Sequence, residues 1–233
     1  MGHAQHQRKC RGSGSRIHDQ SDEKILFVPI TWMEGLPFHG EENLIPNDGE
    51  LYLIRQFYPR LEADRLYNLC MTELEWHEEQ IVIFGKRHKV PRLMCWYGEP
   101  DANYQYSGVN HQPIPWTPVL LEVRKKIEQY CQSDFNSVLG NLYRSGSDSM
   151  GCHADDEKEL GRNPIIASLS LGDERRFKLH HKKRKITLDI DLKHGDMLFM
   201  AGELQHHWVH SVPKTKTIKT PRINLTFRRI LVC

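Results

Sequence analysis

From residue 135 onward the chain is divided into short alternating or apolar runs, at 136–143, 164–171, 175–180, 185–192, 195–200, 206–212 and 222–231. Turn signals such as Gly172-Asp173 and His194-Gly195-Asp196 separate them. Many short strands with turns at close intervals specify a β-sandwich or jelly roll. The preceding part reads differently. Residues 50–58 form a strand stopped by Pro59, and 61–76 carry Leu66, Leu69, Cys70 and Leu74 on one helical stripe. A second helix opens at Thr117, an N-cap with Pro118 in the first helical position, and repeats Leu120, Val123, Ile127 and Cys131 at helical spacing. The fold class is α+β, mainly β, with an N-terminal α/β part packed on a C-terminal β core.

Residues 1–24 are polar, contain Gly and Ser and lack hydrophobic period, and read as a disordered tail. The remaining 25–233 make one domain, which 233 residues in all can support. No apolar run approaches a membrane span, and the basic N-terminus has no apolar stretch of a secretory leader. Six cysteines at 10, 70, 95, 131, 152 and 233 never form C-x-x-C, which argues against a zinc knuckle. The expectation is reduced thiols and an intracellular protein.

The net charge of +2 conceals a local excess: Arg175, Arg176, Lys178, Lys182, Lys183, Arg184 and Lys185 fall within eleven residues. Lys214, Lys216 and Lys219 form a second basic stretch. Such clusters suit a phosphate-binding face, and equally a solvated hairpin.

Gly151-Cys152-His153-Ala154-Asp155-Asp156-Glu157 is unusually polar for a β core. On a strand, His153 and Asp155 project to the same face as one nitrogen and one oxygen donor. A third donor must come from elsewhere, and Gln205-His206-His207-Trp208-Val209-His210 is the richest source. Two histidines and one carboxylate leave three metal positions open, the geometry of non-haem iron(II) oxygenases, whereas a structural zinc site closes with a fourth ligand. An isolated H-x-D is common by chance.

In Pro221–Arg229, Ile223, Leu225 and Phe227 share one strand face; Arg222, Asn224, Thr226 and Arg228 share the other. This pattern fits an edge strand with one wet face. It also fits the wall of a pocket for a small dianion, because guanidinium groups bind carboxylates bidentately and Asn and Thr add neutral donors. Asn141 and Tyr143 form a second alternating polar pair just before the H-x-D segment.

Four linked motifs stand in order: N-x-Y-x-x-G at Asn141 to Gly146, H-x-D at His153 to Asp155, H-S-x-P at His210 to Pro213, and R-x-N-x-T-x-R at Arg222 to Arg228. In these the sequence resembles the AlkB family of iron(II)- and 2-oxoglutarate-dependent dioxygenases, across about residues 48–231. Ile83-Phe84-Gly85-Lys86, Val90-Pro91-Arg92 and Tyr106-Ser107-Gly108 make it most like the AlkB homologue two branch, which repairs DNA.

The resemblance implies a double-stranded β-helix over 135–231 and a nucleotide-recognition lid over 80–110. It implies iron(II) held by His153, Asp155 and His210, with dioxygen as second co-substrate. Arg222 would pair with the distal carboxylate of 2-oxoglutarate, Arg228 and Asn141 would serve its other end, and Tyr143, Asn224 and Thr226 would complete the pocket. The implied reaction demethylates N1-methyladenine and N3-methylcytosine, releasing formaldehyde and succinate. The base must be flipped out of a duplex, so Phe84, beside Gly85 and Lys86, is the expected wedge, although it also reads as the end of a core strand. Tyr104 or Tyr106 would stack on the base, Arg92 joins the substrate contacts, and Asp156 would favour cationic lesions. The implied partner is DNA, duplex or single-stranded, with RNA-directed or protein-directed oxygenases of the superfamily and a non-catalytic nucleic-acid-binding jelly roll as alternatives. A monomer is expected, in the nucleus of a eukaryote or the cytoplasm of a bacterium.

Overall fold

In the computed structural model the described residues are 38, 40–83, 86–102, 104–106 and 109–231. The tail expected over 1–24, Phe84 and Gly85 lie outside them, and for Lys86, Tyr104 and Tyr106 the backbone alone is described. In chain order the strands are β1 (Glu50–Ile54), β2 (His77–Ile83), β3 (Lys86–Gly98), β4 (Tyr104–Tyr106), β5 (Val109–His111), β6 (Ser137–Tyr143), β7 (Met150–His153), β8 (Ile166–Gly172), β9 (Arg175–His181), β10 (Thr187–Leu192), β11 (Met197–Ala201), β12 (Trp208–Val212) and β13 (Arg222–Arg228). The helices are α1 (Arg60–Glu73), α2 (Pro118–Cys131) and the single turn α3 (Leu204–His207).

The helices start where the sequence signals them. Thr117 accepts a hydrogen bond at its side-chain oxygen from the Leu120 amide, with Pro118 at the first position, and α2 buries Val119, Leu120, Val123, Ile127 and Cys131. Helix α1 follows Pro59 and buries Ala63, Leu66 and Cys70. The strand expected over 50–58 ends sooner, at Ile54. Gln56 takes a positive φ of 51°, and the Asp196 carboxylate captures both the Gln56 amide and the Arg55 guanidinium, turning the chain.

All pairings in the large sheet, of order β1-β11-β8-β13-β6-β3-β2, are antiparallel, as are those of the four-stranded sheet β10-β9-β12-β7. One hydrophobic cluster joins the sheets: Leu51, Tyr143, Ile166, Leu198 and Met200 from the first meet Phe177, Leu179, Ile190, Trp208 and Val212 from the second. A second cluster packs α1 and α2 on the opposite face of the large sheet, against Val138, Leu142, Leu169, Phe199, Ile223, Leu225 and Phe227. Each such fully buried aliphatic or aromatic side chain contributes about 1.5–3 kcal/mol of transfer free energy.

These layers explain the alternation over 222–228. Strand β13 is central, hydrogen-bonded to β8 on one side and β6 on the other, and every residue in it is buried. It is not an edge strand with a wet face. Its apolar residues face the helices, and its polar residues face the interior between the two sheets, where a polar row needs partners or a ligand.

Candidate metal and co-substrate site

The pairing of β12 with β7 sets His210 directly opposite His153. Strand β7 ends at His153, and Asp155 follows in irregular backbone, yet the three side chains converge: one donor atom from each of His153, Asp155 and His210 lies within 4.8 Å of the others. The imidazole rings are 4.3 Å apart between centroids, and His153 Nε2 is 3.7 Å from Asp155 Oδ1.

Each ligand is held from behind. His153 Nδ1 is 2.9 Å from the Gly151 carbonyl, which accepts its proton and leaves Nε2 as the metal-facing nitrogen. Phe177 stacks on His210 at 5.1 Å. The Asp155 backbone amide donates to Gln205 Oε1 at 2.9 Å, and Arg228 Nη2 donates to Asp155 Oδ1 at 2.9 Å. Asp155 Oδ2 and His210 Nδ1 remain buried without a hydrogen-bond partner among the described residues. Buried polar atoms left in this way fit a cation and a vicinal ligand better than an apolar filling.

The electrostatics keep Asp155 and His210 in ligating form. Burial pushes the Asp155 carboxyl up, but Arg228, His210 and His153 overcome it and hold the group down at about 2. Burial, with His153, lowers His210 to about 3, so its ring is neutral at neutral pH. A bare carboxylate and a neutral imidazole are forms in which a divalent transition metal is bound.

Arg222, Asn224, Thr226 and Arg228 line the same cavity as the three ligands, Asn141 and Tyr143. Register places Tyr143 opposite Arg222 and Asn141 opposite Asn224. Arg222 is 1% exposed and donates through Nη2 to Ser170 Oγ at 2.8 Å, while Nε and Nη1 have no hydrogen-bond partner among the described residues. Its guanidinium sits 5.3 Å from the Tyr143 ring centre, and burial lowers its pKa to about 10. A buried cation with open donors fits a carboxylate. Asn224 differs from the expected free donor, because its amide donates to Ser168 Oγ and the Leu169 carbonyl while its Oδ1 accepts from Thr226. Asn224 and Thr226 are therefore tied wall elements.

Ser168, Ser170 and Gln205 escaped the sequence reading. The two serines are visible in retrospect as polar residues two apart in Ala167-Ser168-Leu169-Ser170, whereas nothing local marks Gln205. The motif glycine Gly146 has a packing reason: a β-carbon there would come within 2.6 Å of the Thr215 carbonyl and 2.8 Å of that of Thr217.

Two residues placed among substrate contacts lie outside the cavity. Arg92 is buried beside Asn141. The Asp156 side chain is 58% exposed, turned away from Asp155 and 3.6 Å from Lys182 Nζ. The basic run is largely neutralised: within the hairpin Arg176 pairs with Asp191 and Lys178 with Asp189, and Arg184 pairs with Asp48, which precedes β1. Arg175 is buried and donates to the Ser145, Asp148 and Pro213 carbonyls. Lys183 and Lys185 at the β9–β10 turn, with Lys214 and Lys216, are exposed.

The profile of the 2OG-Fe(II) oxygenase superfamily matches residues 50–228. The chain is 38% identical over 185 residues to DNA oxidative demethylase ALKBH2 of Bos taurus, covering 75% of this chain and 66%, just under two thirds, of that protein. It is 37% identical over 186 residues to the Homo sapiens ALKBH2, covering 75% and 71%. To the alpha-ketoglutarate-dependent dioxygenase alkB homolog 3 of Bos taurus it is 40% identical over 179 residues, covering 72% and 62%. The solved structure of OsALKBH1 superposes with a TM-score of 0.55 at 18% identity, over 77% of this chain and 97% of that one. A 2OG-Fe(II) oxygenase family oxidoreductase from Burkholderia pseudomallei gives 0.53 at 11% identity, over 78% and 87%. These two likenesses bear out the jelly-roll fold.

Proposed function

The chain belongs to the 2OG-Fe(II) oxygenase superfamily and within it to the AlkB family, and from that premise we propose that it removes alkyl groups oxidatively from N-alkylated bases in DNA. The observation that carries the reading is the convergence of His153, Asp155 and His210 beside the buried arginines of β13 in one cavity. Relatives at 37–38% identity named DNA oxidative demethylase support the choice of DNA.

Iron(II), held by His153, Asp155 and His210, would supply the oxidation of an alkyl carbon coupled to conversion of 2-oxoglutarate to succinate. The chain's own residues do the placing. Arg222, at the Tyr143 end of β13, receives the distal carboxylate of the co-substrate, and Arg228 and Asn141 serve the end nearer Asp155. Phe177, Met150, Met200 and Val212 give the cavity its apolar lining, which limits water at the reacting carbon. Ile83 of β2 pairs with Lys86 of β3. Phe84, which follows Ile83 in the sequence, would act as the wedge, and Tyr104 or Tyr106 on β4 would stack on the flipped base. The exposed Lys183, Lys185, Lys214 and Lys216 supply phosphate contacts. Among the described residues no helix is long and apolar enough to cross a membrane, and the proposed place of work is wherever the cell keeps its DNA.

The test is turnover of oligonucleotides carrying N1-methyladenine or N3-methylcytosine, as duplex DNA, single-stranded DNA and RNA, with iron(II) present and absent. Iron-dependent release of formaldehyde and succinate from DNA is expected. Turnover of RNA with DNA ignored would overturn the DNA assignment.

A further inference from the structure

Arg92 on β3 is 3% exposed, and no carboxylate lies within 4.0 Å of it among the described residues. Its contacts are with neutral groups. Nε donates to Asn141 Oδ1 at 2.6 Å, Nη1 is 3.4 Å from the Ser149 carbonyl, and Nη2 is buried without a hydrogen-bond partner among the described residues. The sequence resemblance sets Arg92 among the contacts to DNA, but at this depth the nearest group it can act on is Asn141.

A carboxamide accepts at one end and donates at the other, and the two ends have almost the same shape. A guanidinium carries donors only, so Asn141 can meet Arg92 solely through its carbonyl oxygen. The opposite amide orientation would press two sets of N–H groups together. Asn141 is 1% exposed, pairs with Met94 of β3 and Asn224 of β13 in register, and lines the co-substrate cavity. It therefore has no solvent in which to turn.

We infer that Arg92 is a positioning residue, whose 2.6 Å hydrogen bond locks the Asn141 carboxamide so that its amino end, and not its carbonyl, is offered to the co-substrate. The inference rests on the dioxygenase reading above and adds to it a residue that acts on 2-oxoglutarate without touching it. The lock adds the Asn141 amino group to the guanidinium donors of Arg222 and Arg228 on the same cavity, which suits an anion rich in acceptors.

The test is a double-mutant cycle read by calorimetry, as the Kd of N-oxalylglycine, a non-reacting 2-oxoglutarate analogue, for the full-length protein loaded with manganese(II). Arg92→Met and Asn141→Ala are each expected to weaken binding about tenfold to a hundredfold, the worth of a charge-assisted hydrogen bond. The double variant should bind no more weakly than Asn141→Ala alone. Independent losses in the double variant would mean that Arg92 does not work through Asn141. An unchanged Kd for Arg92→Met, together with a slope of log DNA affinity on log salt flattened by about one, would make Arg92 a phosphate contact and overturn the inference. Should Arg92→Met fail to fold, Arg92→Lys keeps the cation, shortens its reach and enters the same cycle. A wild-type protein that binds no N-oxalylglycine rejects the dioxygenase reading itself, an outcome distinct from a wild type that binds while its cycle shows no coupling.

Discussion

Arg228 donates from Nη2 to Asp155 Oδ1 at 2.9 Å, with the two side chains 5% and 4% exposed. The strand that carries the co-substrate arginines is thereby bonded to the carboxylate of the metal set, across 73 residues of sequence. The same guanidinium holds one oxygen of Asp155 and leaves the other for a metal.

Breaking this pair from one side leaves a buried charge without compensation, so Arg228→Ala is expected to destabilise the fold by about 3–5 kcal/mol. Urea denaturation of the metal-free protein measures it. A loss below about 1 kcal/mol would show that water reaches Asp155 and that the pair is not buried in solution.

His153 stands differently, at the end of the edge strand β7 with a side chain 28% exposed. His153→Ala is expected to change stability by less than about 1 kcal/mol, since little apolar packing is lost, and to abolish stoichiometric binding of manganese(II) and iron-dependent succinate release. Full metal occupancy in the variant would remove His153 from the ligand set.

How much of this was legible in the sequence follows from the range of each signal. The metal and co-substrate motifs are short, and strand alternation carries them: once β13 is a strand, Arg222 and Arg228 must share a face with Asn224 and Thr226. That this face is interior, between sheets, depends on β8 and β6 flanking β13, a long-range pairing that no local pattern reveals. Gln205 bonds the Asp155 amide from 50 residues away, and Arg92 reaches Asn141 across 49. The basic run stayed ambiguous between a phosphate-binding face and a solvated hairpin for a related reason. Its partners Asp189 and Asp191 lie on the returning strand, and only the hairpin register sets Lys178 opposite Asp189 and Arg176 opposite Asp191.

The depressed pKa of His210 gives the metal-free protein a pH-dependent stability. Burial, with His153 and Arg228, lowers the group from 6.5 to about 3, against the pull of Asp155. Between those values the unfolded chain binds a proton that the folded chain does not, so stability falls as pH drops through the window and is constant in this respect above it. Asp155, lowered from 3.8 to about 2, adds a further loss at still lower pH. Thermal midpoints of the metal-free protein are expected to fall from pH 7 to pH 4, and more steeply than those of His210→Gln. Parallel curves for the two proteins would mean that His210 is protonated in the fold.

Charge pairing within the β9–β10 hairpin predicts which cations DNA feels. Each phosphate neutralised contributes about −0.9 to the slope of log affinity against log salt. Arg176 and Lys178 are already engaged by Asp191 and Asp189, at 2.9 Å and 2.7 Å, so replacing both with Gln is expected to leave that slope unchanged. Lys183 and Lys185 are exposed at the turn, with no carboxylate within 4.0 Å among the described residues, and replacing both is expected to flatten the slope by about two. Fluorescence anisotropy on a methylated duplex at several salt concentrations reads both pairs of substitutions. The reverse result, with the Arg176 and Lys178 variant losing salt dependence and the turn variant keeping it, would show that DNA displaces the hairpin's own aspartates and binds along its face instead of at its tip.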